Sequence, residues 1–298
     1  TDSDTTRRLA QLGITFYKGH DAAHISGADV VVISSAVNST NPEVQEAKRL
    51  RIPVIKRAEM LAELMRGKVG VAIAGTHGKT TTTSMMAHVL STAKLDPTIV
   101  IGGKVDALGG NAKLGNGQFV VAEADESDGS FLHLPATYGI ITNIDNDHLD
   151  HYGSVAAIDE AFMTFVSNLP FYGLAAVCLD DPGVARCLER FNKPFVTYGL
   201  SGSKADFWAT QIHTQGLTSR FEVHSAVQGN LGTVELHIPG RHNVLNALGV
   251  IALAMEIGIP FPTIAQGLAE FRGVKRRFEI KWRNLAKDQA IVDDYGHH

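Results

Sequence analysis

The chain has 298 residues, of which 44% are hydrophobic, 19% charged and 7% aromatic. This composition supplies a buried core and lacks the low hydrophobicity of disordered chains, so we expect a globular protein with two domains or one domain plus parts of others. The formal net charge of −4, with Lys and Arg scattered along the chain, argues against a nucleic-acid binder with a basic face.

The longest apolar stretch and the cysteines exclude two further classes. The stretch from Val244 to Ile259 is interrupted by polar residues and is shorter than the roughly 20 residues that cross a bilayer. Cys178 and Cys187 have no zinc-ligand spacing, which is typical of reduced, structural thiols. We therefore predict a cytoplasmic protein without a membrane contact.

Helices and strands alternate over residues 1–66. Helical periodicity predicts helices at 5–12 and near residue 22, and apolar runs predict strands at 14–17, 28–33 and 52–55. Such βα alternation is typical of a parallel sheet. A new βα series begins just beyond Gly67, so we predict a domain boundary near residue 66.

The second series, residues 67–272, predicts a mostly parallel sheet flanked by helices. Its strands are expected at 69–74, 98–101, 119–123, 138–144, 175–179 and 195–198, and its helices at 156–169, 182–190, 243–257 and 263–270. Period-2 segments at 219–223 and 233–238 predict a small antiparallel sheet. New β-like material from residue 273 predicts the start of a third α/β domain.

The strongest chemical signal is Gly75-Thr76-His77-Gly78-Lys79-Thr80, between an apolar strand and an amphipathic helix. Glycines let consecutive N–H groups and the helix N-terminus face an anion, while Lys79 adds a cation and Thr80 a magnesium-binding hydroxyl. The common pattern has a glycine where this chain has Ile73, so the loop is a shorter variant. The alternative is a glycine turn before a Thr-rich helix start. We predict a nucleoside triphosphate site.

Charged and polar residues follow two other predicted strands. In open α/β sheets ligands bind at the C-terminal strand ends, so Glu123 is our candidate magnesium ligand. The carboxylates that follow it, as far as Asp128, are alternatively a solvated turn. His148 is a metal ligand, a proton carrier or a surface residue, and the sheet edge that it shares with the loop favours the first two.

Two further segments have alternatives that the residues alone leave open. Residues 239–247 either start a helix with an Asn N-cap and an exposed Arg, or contribute polar side chains to a site. Residues 275–277 form either a solvated basic patch or an anion clamp. Neither pattern decides between its two interpretations.

In this order, the motifs resemble those of the Mur ligase family over essentially the whole chain. The matching segments are 75–80, 123–128, 143–148, 240–246 and 276–277. The resemblance implies a P-loop ATPase-like central domain and an enzyme of peptidoglycan precursor synthesis that uses ATP and Mg²⁺ to form an amide bond. Segments 34–36, 53–61, 168–173, 180–182 and 293–298 favour addition of L-alanine to UDP-N-acetylmuramate over attachment of a whole peptide.

The resemblance also implies roles for individual residues. The catalytic residues would be Lys79, Glu123, His148 and Arg276, and two magnesium ions would be held by Thr80, Glu123 and His148. ATP would contact Gly75, Thr76, His77, Gly78, Lys79, Thr80, Thr81, His242, Asn243 and Asn246. The nucleotide-sugar substrate would contact His20, Ser34, Ser35, Asn111, Glu126 and Ser127.

By the same resemblance, residues 1–66 are a partial Rossmann-like, UDP-sugar-binding domain, 67–272 the ATP-binding domain, and 273–298 the beginning of a truncated amino-acid-binding domain. A Gly-rich segment before Thr1 and most of the domain after His298 are expected to be missing. One alternative is therefore an ATP-binding fragment without ligase activity. Another is a regulatory module that hydrolyses ATP without making a product.

Overall fold

The computed structural model describes residues 4–34, 36–105, 110–200, 204–274, 279–284, 289–294 and 296. The chain folds as two compact units, Thr1–Arg66 and Gly67–His298. The assignment of these units to nucleotide-sugar and ATP-binding domains, and of residues 273–298 to a third domain, stays a prediction. Every helix in the described ranges falls short of the length and apolarity that a membrane crossing requires.

The first unit contains a small βαβ arrangement. Its elements are α1 (Asp4–Gln11), β1 (Val31–Ile33), α2 (Pro42–Leu50), β2 (Val54–Lys56) and α3 (Arg57–Met65). β1 and β2 pair in parallel, with Val31 opposite Val54. Asn41 caps α2, because its side chain accepts hydrogen bonds from the N–H groups of Glu43 and Val44.

The predicted strand at 14–17 is wrong, because these residues are irregular in the structure. A strand needs partners for its N–H and C=O groups, and the described sheet of this unit consists of β1 and β2. The Tyr17 ring instead stacks on His24, with ring centroids 4.1 Å apart. The helix predicted near residue 22 is a short 3-10 helix, Ala22–Ile25.

A ten-stranded sheet forms the second unit. Its strands are β3 (Val69–Ala74), β4 (Thr98–Val105), β5 (Gly110–Lys113), β6 (Phe119–Glu123), β7 (Tyr138–Ile141), β8 (Leu174–Cys178), β9 (Phe195–Gly199), β10 (Phe207–Gln215), β11 (Thr218–Ser225) and β12 (Gly229–Leu236). Their order is β12-β11-β10-β9-β8-β7-β3-β6-β4-β5. The strands from β10 to β4 are parallel, and β11, β12 and β5 pair antiparallel. The mostly parallel sheet is thus confirmed, and the predicted antiparallel strands extend it.

Helices cover both faces of this sheet. They are α4 (Lys79–Thr92), α5 (Leu149–Tyr152), α6 (Val155–Ser167), α7 (Pro182–Cys187), α8 (Arg241–Glu256) and α9 (Phe261–Glu270). On one face Met85 and Leu90 of α4 share a buried core with Ile140 of β7. The adjacent Gly139 faces the other side, where a Cβ would lie 3.1 Å from the Phe165 ring of α6.

The strand order places a crevice at one edge of the sheet. β3 lies between β6 and β7, so the chain leaves β3 toward one side of the sheet and later returns to the other. In open α/β sheets such a switch point, at the C-terminal strand ends, is where ligands bind. A separate antiparallel pair, β13 (Glu279–Asn284) and β14 (Gln289–Asp293), ends the described chain.

Candidate active site

The loop between β3 and α4 has a shape that requires glycine at two positions. Gly75 has a φ of 134°, and a Cβ there would lie 2.1 Å from Oγ1 of Thr142. Gly78 has a φ of 82°, and a Cβ there would lie 2.7 Å from Oδ1 of Asn246. Other residues rarely adopt such angles. The loop therefore delivers the N-terminus of α4, with its first-turn N–H groups, to the edge of the sheet.

Lys79, the first residue of α4, is folded back onto this loop. Its Nζ donates to the carbonyl oxygens of Gly75, at 2.8 Å, and Thr76, at 3.1 Å. The same nitrogen lies 3.0 Å from Oε1 and 2.8 Å from Oε2 of Glu126. An ammonium has three N–H donors, so these partners engage all of them. A nucleotide phosphate would have to replace at least one of these contacts.

Glu126 is the buried partner of that lysine, with only 2% of the residue exposed. Burial raises the pKa of its carboxyl, an effect that the Lys79 ammonium opposes. The Tyr152 hydroxyl donates to the backbone oxygen of Glu126 at 2.5 Å. In the structure the carboxylate contacts Lys79. The predicted contact of Glu126 with the nucleotide sugar stays a prediction.

His148 reaches the same carboxylate from the loop after β7. It precedes α5 with a left-handed backbone, φ 58°, and its Nε2 lies 3.7 Å from Oε1 of Glu126. The side chain is 28% exposed, so one side of the ring faces solvent. Its roles in catalysis and magnesium binding stay predictions.

Thr80 and Glu123 meet between α4 and the end of β6. The Thr80 hydroxyl donates to Oε1 of Glu123 at 2.9 Å, and the Gly102 N–H donates to Oε2 at 2.7 Å. Adjacent ligands of octahedral Mg²⁺, with bonds of about 2.1 Å, lie about 2.9 Å apart, so the two oxygens fit neighbouring coordination positions. Within the described residues, no three His, Cys, Asp or Glu side chains could hold a metal ion. Water and phosphate oxygens would complete the shell, as is usual for Mg²⁺.

A cavity of about 370 Å³ opens beside the loop in the second unit. It is lined by Gly78, Thr80, Thr81, Ile238, Pro239, Gly240, His242, Asn243, Asn246, Gly273, Val274 and Asp294. On α8, the buried Asn246 donates through Nδ2 to Oδ1 of Asn243 at 3.3 Å, and Asn243 donates to the Pro239 oxygen at 2.6 Å. An amide has two donors and two acceptor sites, so both can bind a flat polar ligand while keeping these bonds.

His242 and Asp294 add titratable groups to this cavity. The imidazole sits over Gly240, where a Cβ would lie 2.4 Å from Cε1. The residue as a whole is exposed, yet desolvation of the ring lowers its pKa, an effect that the Asp294 carboxylate opposes. The ring is therefore neutral at pH 7 and offers one donor and one acceptor.

The remaining predicted site residues include those expected to contact the nucleotide sugar. Ser127 is half-buried after β6, with its N–H on Oδ1 of Asp125 at 3.1 Å, and Asn111 is exposed on the edge strand β5. In the first unit, Nδ1 of His20 lies 2.7 Å from Glu43, and Ser34 follows β1. The predictions for Ser35 and Arg276 lie outside the described residues. These roles stay predictions.

Four residues that the sequence interpretation did not assign contribute to the site. Thr142 and Asn143, which follow β7, bond the phosphate loop (residues 75–80), Tyr152 bonds Glu126, and Asp294 lines the cavity. Asn143 and Asp294 lie in segments 143–148 and 293–298, which resemble those of the Mur ligase family. That resemblance is the sequence signal that could have identified them. Tyr152 carries no local signal, because only the tertiary fold brings its hydroxyl to residue 126.

The fold and the loop define an α/β protein of the phosphate-loop class. Residues 73–254 match the family model of the Mur ligase middle domain, and residues 1–69 match that of the Mur ligase family, catalytic domain. The chain belongs to the Mur ligase family.

Curated relatives carry names that specify a reaction. The chain is 56% identical, over 99% of its length and 64% of the relative's, to the UDP-N-acetylmuramate–L-alanine ligase of Pelobacter propionicus. It is 57% identical to the protein of the same name from Geobacter sulfurreducens, over 99% of this chain and 63% of that one. The chain thus spans slightly less than two thirds of the length of these relatives.

Two solved structures share the fold over nearly the whole chain. The UDP-N-acetylmuramate-alanine ligase of Thermotoga maritima has a TM-score of 0.86 and 33% identity, covering 100% of this chain and 67% of its own. The UDP-N-acetylmuramate:L-alanyl-gamma-D-glutamyl-meso-diaminopimelate ligase of Neisseria meningitides has a TM-score of 0.81 and 30% identity, covering 93% and 89%.

Proposed function

We propose that this protein is an ATP-dependent ligase that joins L-alanine to the lactoyl carboxylate of UDP-N-acetylmuramate in peptidoglycan precursor synthesis. The observation that carries the proposal is the pairing of the Thr80 hydroxyl with Glu123 at 2.9 Å beside Lys79, at the switch point of the sheet. A loop lysine, a hydroxyl and a strand-end carboxylate are the groups that phosphoryl-transfer sites use. The names of the relatives supply the two substrates.

ATP would lie along α4, with its phosphates at the loop and its base in the cavity. The first-turn N–H groups and Lys79 would hold the phosphates, and Asn243, Asn246 and the neutral His242 would contact the base. Thr80 and Glu123 would hold Mg²⁺, which neutralises charge on the phosphates when bound. For the lysine to reach a phosphate, at least one of its contacts with Glu126 or the loop carbonyls would have to be replaced.

The reaction forms and breaks bonds in two steps. A carboxylate oxygen of the sugar's lactoyl group attacks the γ-phosphorus, the bond to ADP breaks, and an acyl phosphate results. The free amine of L-alanine then attacks the acyl carbon, loses a proton, and expels inorganic phosphate. Lys79 would stabilise charge on the transferred group, and His148, whose Nε2 lies 3.7 Å from Glu126, would hold or move a proton at that nitrogen.

A second candidate differs only in the acceptor. The Neisseria meningitides ligase, whose name specifies a peptide instead of alanine, shares the fold over 93% of this chain. The described phosphate site fits both reactions, because both activate the same carboxylate. The higher identity to the alanine ligases favours alanine.

Phosphate release by the gene's full-length product tests both candidates. ATP, Mg²⁺ and UDP-N-acetylmuramate are supplied with L-alanine, glycine, L-serine or the tripeptide in turn, and the amide product is measured alongside phosphate. We expect release that requires the nucleotide sugar and is fastest with L-alanine. Release that ignores the nucleotide sugar would indicate a regulatory ATPase, and nucleotide binding without any amide product would indicate a nucleotide-binding protein without ligase activity.

We further propose that the protein acts in the cytoplasm on small molecules. ATP and a nucleotide sugar are cytoplasmic metabolites, and the net charge of −4 offers no general attraction to nucleic acid. Cys178 and Cys187 are both buried, and burial raises the pKa of the Cys178 thiol to about 12 and that of Cys187 to about 11. Such protonated, buried thiols are structural groups.

A further inference from the structure

The segment that follows β7 is bonded to the phosphate loop at successive residues. The Thr142 hydroxyl donates to the His77 oxygen at 2.5 Å, and the Thr76 N–H donates to the Asn143 oxygen at 3.2 Å. The Asp145 N–H in turn donates to Oγ1 of Thr76 at 2.9 Å. The conformation of the loop is therefore set in part from another strand.

Asn143 makes the most specific of these contacts. Its Oδ1 accepts from the His77 N–H at 2.8 Å, while its Nδ2 donates to the His77 oxygen at 3.0 Å. The two partners fix which end of the amide is which, since an N–H needs an acceptor and a carbonyl needs a donor. Only a side chain with one acceptor and one donor at this spacing can hold both ends of residue 77.

We propose that Asn143 is a positioning residue that sets the phosphate loop in its nucleotide-binding conformation. Because the His77 N–H points to Asn143, the cradle for phosphate is made by Gly78 and the first turn of α4, whose N–H groups have no intrahelical acceptor. The inference rests on the proposed function, because it assumes that the loop binds ATP.

The same hydrogen bonds join the phosphate loop to the segment that carries His148. Asn143 stands five residues before His148, at the start of the connection between β7 and α5. Asp181 also holds this connection, since its Oδ1 accepts from the Ile144 N–H at 3.0 Å. Movement of the phosphate loop is therefore opposed from β7 and from the start of α7.

Asn143→Asp separates positioning from simple packing, because the two side chains have nearly the same shape. An ionised carboxylate can still accept from the His77 N–H, but its other oxygen would face the His77 carbonyl oxygen, where Nδ2 donates now. Protonation of that carboxylate would restore an O–H donor. The defect should therefore shrink as pH falls, which loss of packing alone would not produce.

The test is calorimetric binding of the magnesium complex of the β,γ-imido analogue of ATP to the gene's full-length product. Asn143→Ala and Asn143→Asp are compared with the wild type at pH 8 and pH 5.5, with unfolding temperatures measured in parallel. Asn146→Asp is the matched control, because it adds the same charge to an exposed residue of the same connection.

We expect Asn143→Asp and Asn143→Ala to weaken binding roughly tenfold or more at pH 8. The partial burial of residue 143 and the facing His77 oxygen should raise the pKa of the introduced carboxyl above its ordinary value of about 3.9. Relative to the wild type, the Asp variant should therefore recover part of its binding at pH 5.5 and the Ala variant none, while Asn146→Asp stays within about twofold throughout. The inference is overturned if the wild type binds and both Asn143 variants bind as tightly as the wild type does. It is also overturned if binding weakens only in step with a lower unfolding temperature and the Asp variant does not recover at pH 5.5. A wild type that does not bind would instead overturn the proposed function, and this inference with it.

Discussion

The phosphate end and the base end of the candidate nucleotide site satisfy their polar groups in different ways. At the phosphate end Lys79 is engaged by two loop carbonyls and Glu126, and Thr80 by Glu123. At the base end Asn243 and Asn246 face a cavity of about 370 Å³ and share one long hydrogen bond of 3.3 Å. The polar groups of the phosphate end are thus paired with one another, whereas those of the base end face a cavity.

The difference suggests a division of tasks. The base end is preformed, so a ligand enters it without breaking internal ion pairs. At the phosphate end, an arriving phosphate has to replace at least one partner of Lys79, which is a loop carbonyl or the buried Glu126 carboxylate. Changes at the phosphate end should therefore have large effects that depend on charge, and changes at the base end smaller ones.

Removal of the loop cation should have the largest effect. In Lys79→Met we expect phosphate release with all substrates to fall on the order of 10³-fold, because the charge that stabilises the transferred group is gone. The variant also leaves Glu126 buried without its partner, which costs about 3–5 kcal/mol of unfolding free energy. The double variant Lys79→Met/Glu126→Gln should recover stability without activity. Recovered turnover in the double variant would show that the lysine only neutralises Glu126.

Loss of the strand-end carboxylate should change the magnesium requirement. Glu123→Gln keeps the shape and an acceptor for Thr80 but removes the charge, so we expect half-saturation with Mg²⁺ to need about 10- to 100-fold more metal. The measurement is phosphate release against Mg²⁺ concentration. Asp125→Asn, an exposed carboxylate two residues on, is the control and should leave that concentration unchanged. Equal shifts in both variants would point to general electrostatics.

The base end should respond more weakly. Asn246→Ala removes one amide from the cavity, so we expect the KM for ATP to rise up to about tenfold with kcat little changed. Steady-state kinetics with varied ATP provides the measurement, and the far-UV circular dichroism of the variant checks that α8 is intact. A large fall in kcat with an unchanged KM would contradict the division between the two ends.

The smallest effect concerns pH and Glu126. Its raised pKa means that the folded protein keeps this proton at pH values where the unfolded chain, with an ordinary pKa of 4.5, has lost it. The folded state then binds more protons, so the unfolding free energy falls as pH rises from about 4.5 through the raised pKa. Chemical denaturation at several pH values should show this decline in the wild type relative to Glu126→Gln. Parallel curves would contradict the raised pKa.

The sequence predicts the framework of this site for identifiable reasons. A buried central strand needs a continuous apolar run, and residues 69–74 provide one directly before the glycines. The C-terminal ends of parallel strands share one edge of a sheet, so Lys79, Thr80 and Glu123 could be expected to lie together. The substitutions described above test the roles predicted for these residues.

Other features depend on contacts that the sequence does not display. The strand predicted at 138–144 ends at Ile141, because Thr142 and Asn143 bond the phosphate loop in place of a neighbouring strand. The acidic residues after β6 look alike in sequence, yet only Glu126 among them is buried against Lys79. Asp294 reaches the cavity from a segment more than 200 residues beyond the loop.

Isotope transfer tests the proposed reaction most directly. UDP-N-acetylmuramate labelled with oxygen-18 in its lactoyl carboxylate is turned over with ATP, Mg²⁺ and L-alanine by the gene's full-length product, and the released phosphate is examined by mass spectrometry. We predict that each phosphate released in ligation carries one oxygen-18 atom, because a carboxylate oxygen becomes the bridge of the acyl phosphate. Unlabelled phosphate, or label in AMP, would contradict phosphoryl transfer to the carboxylate.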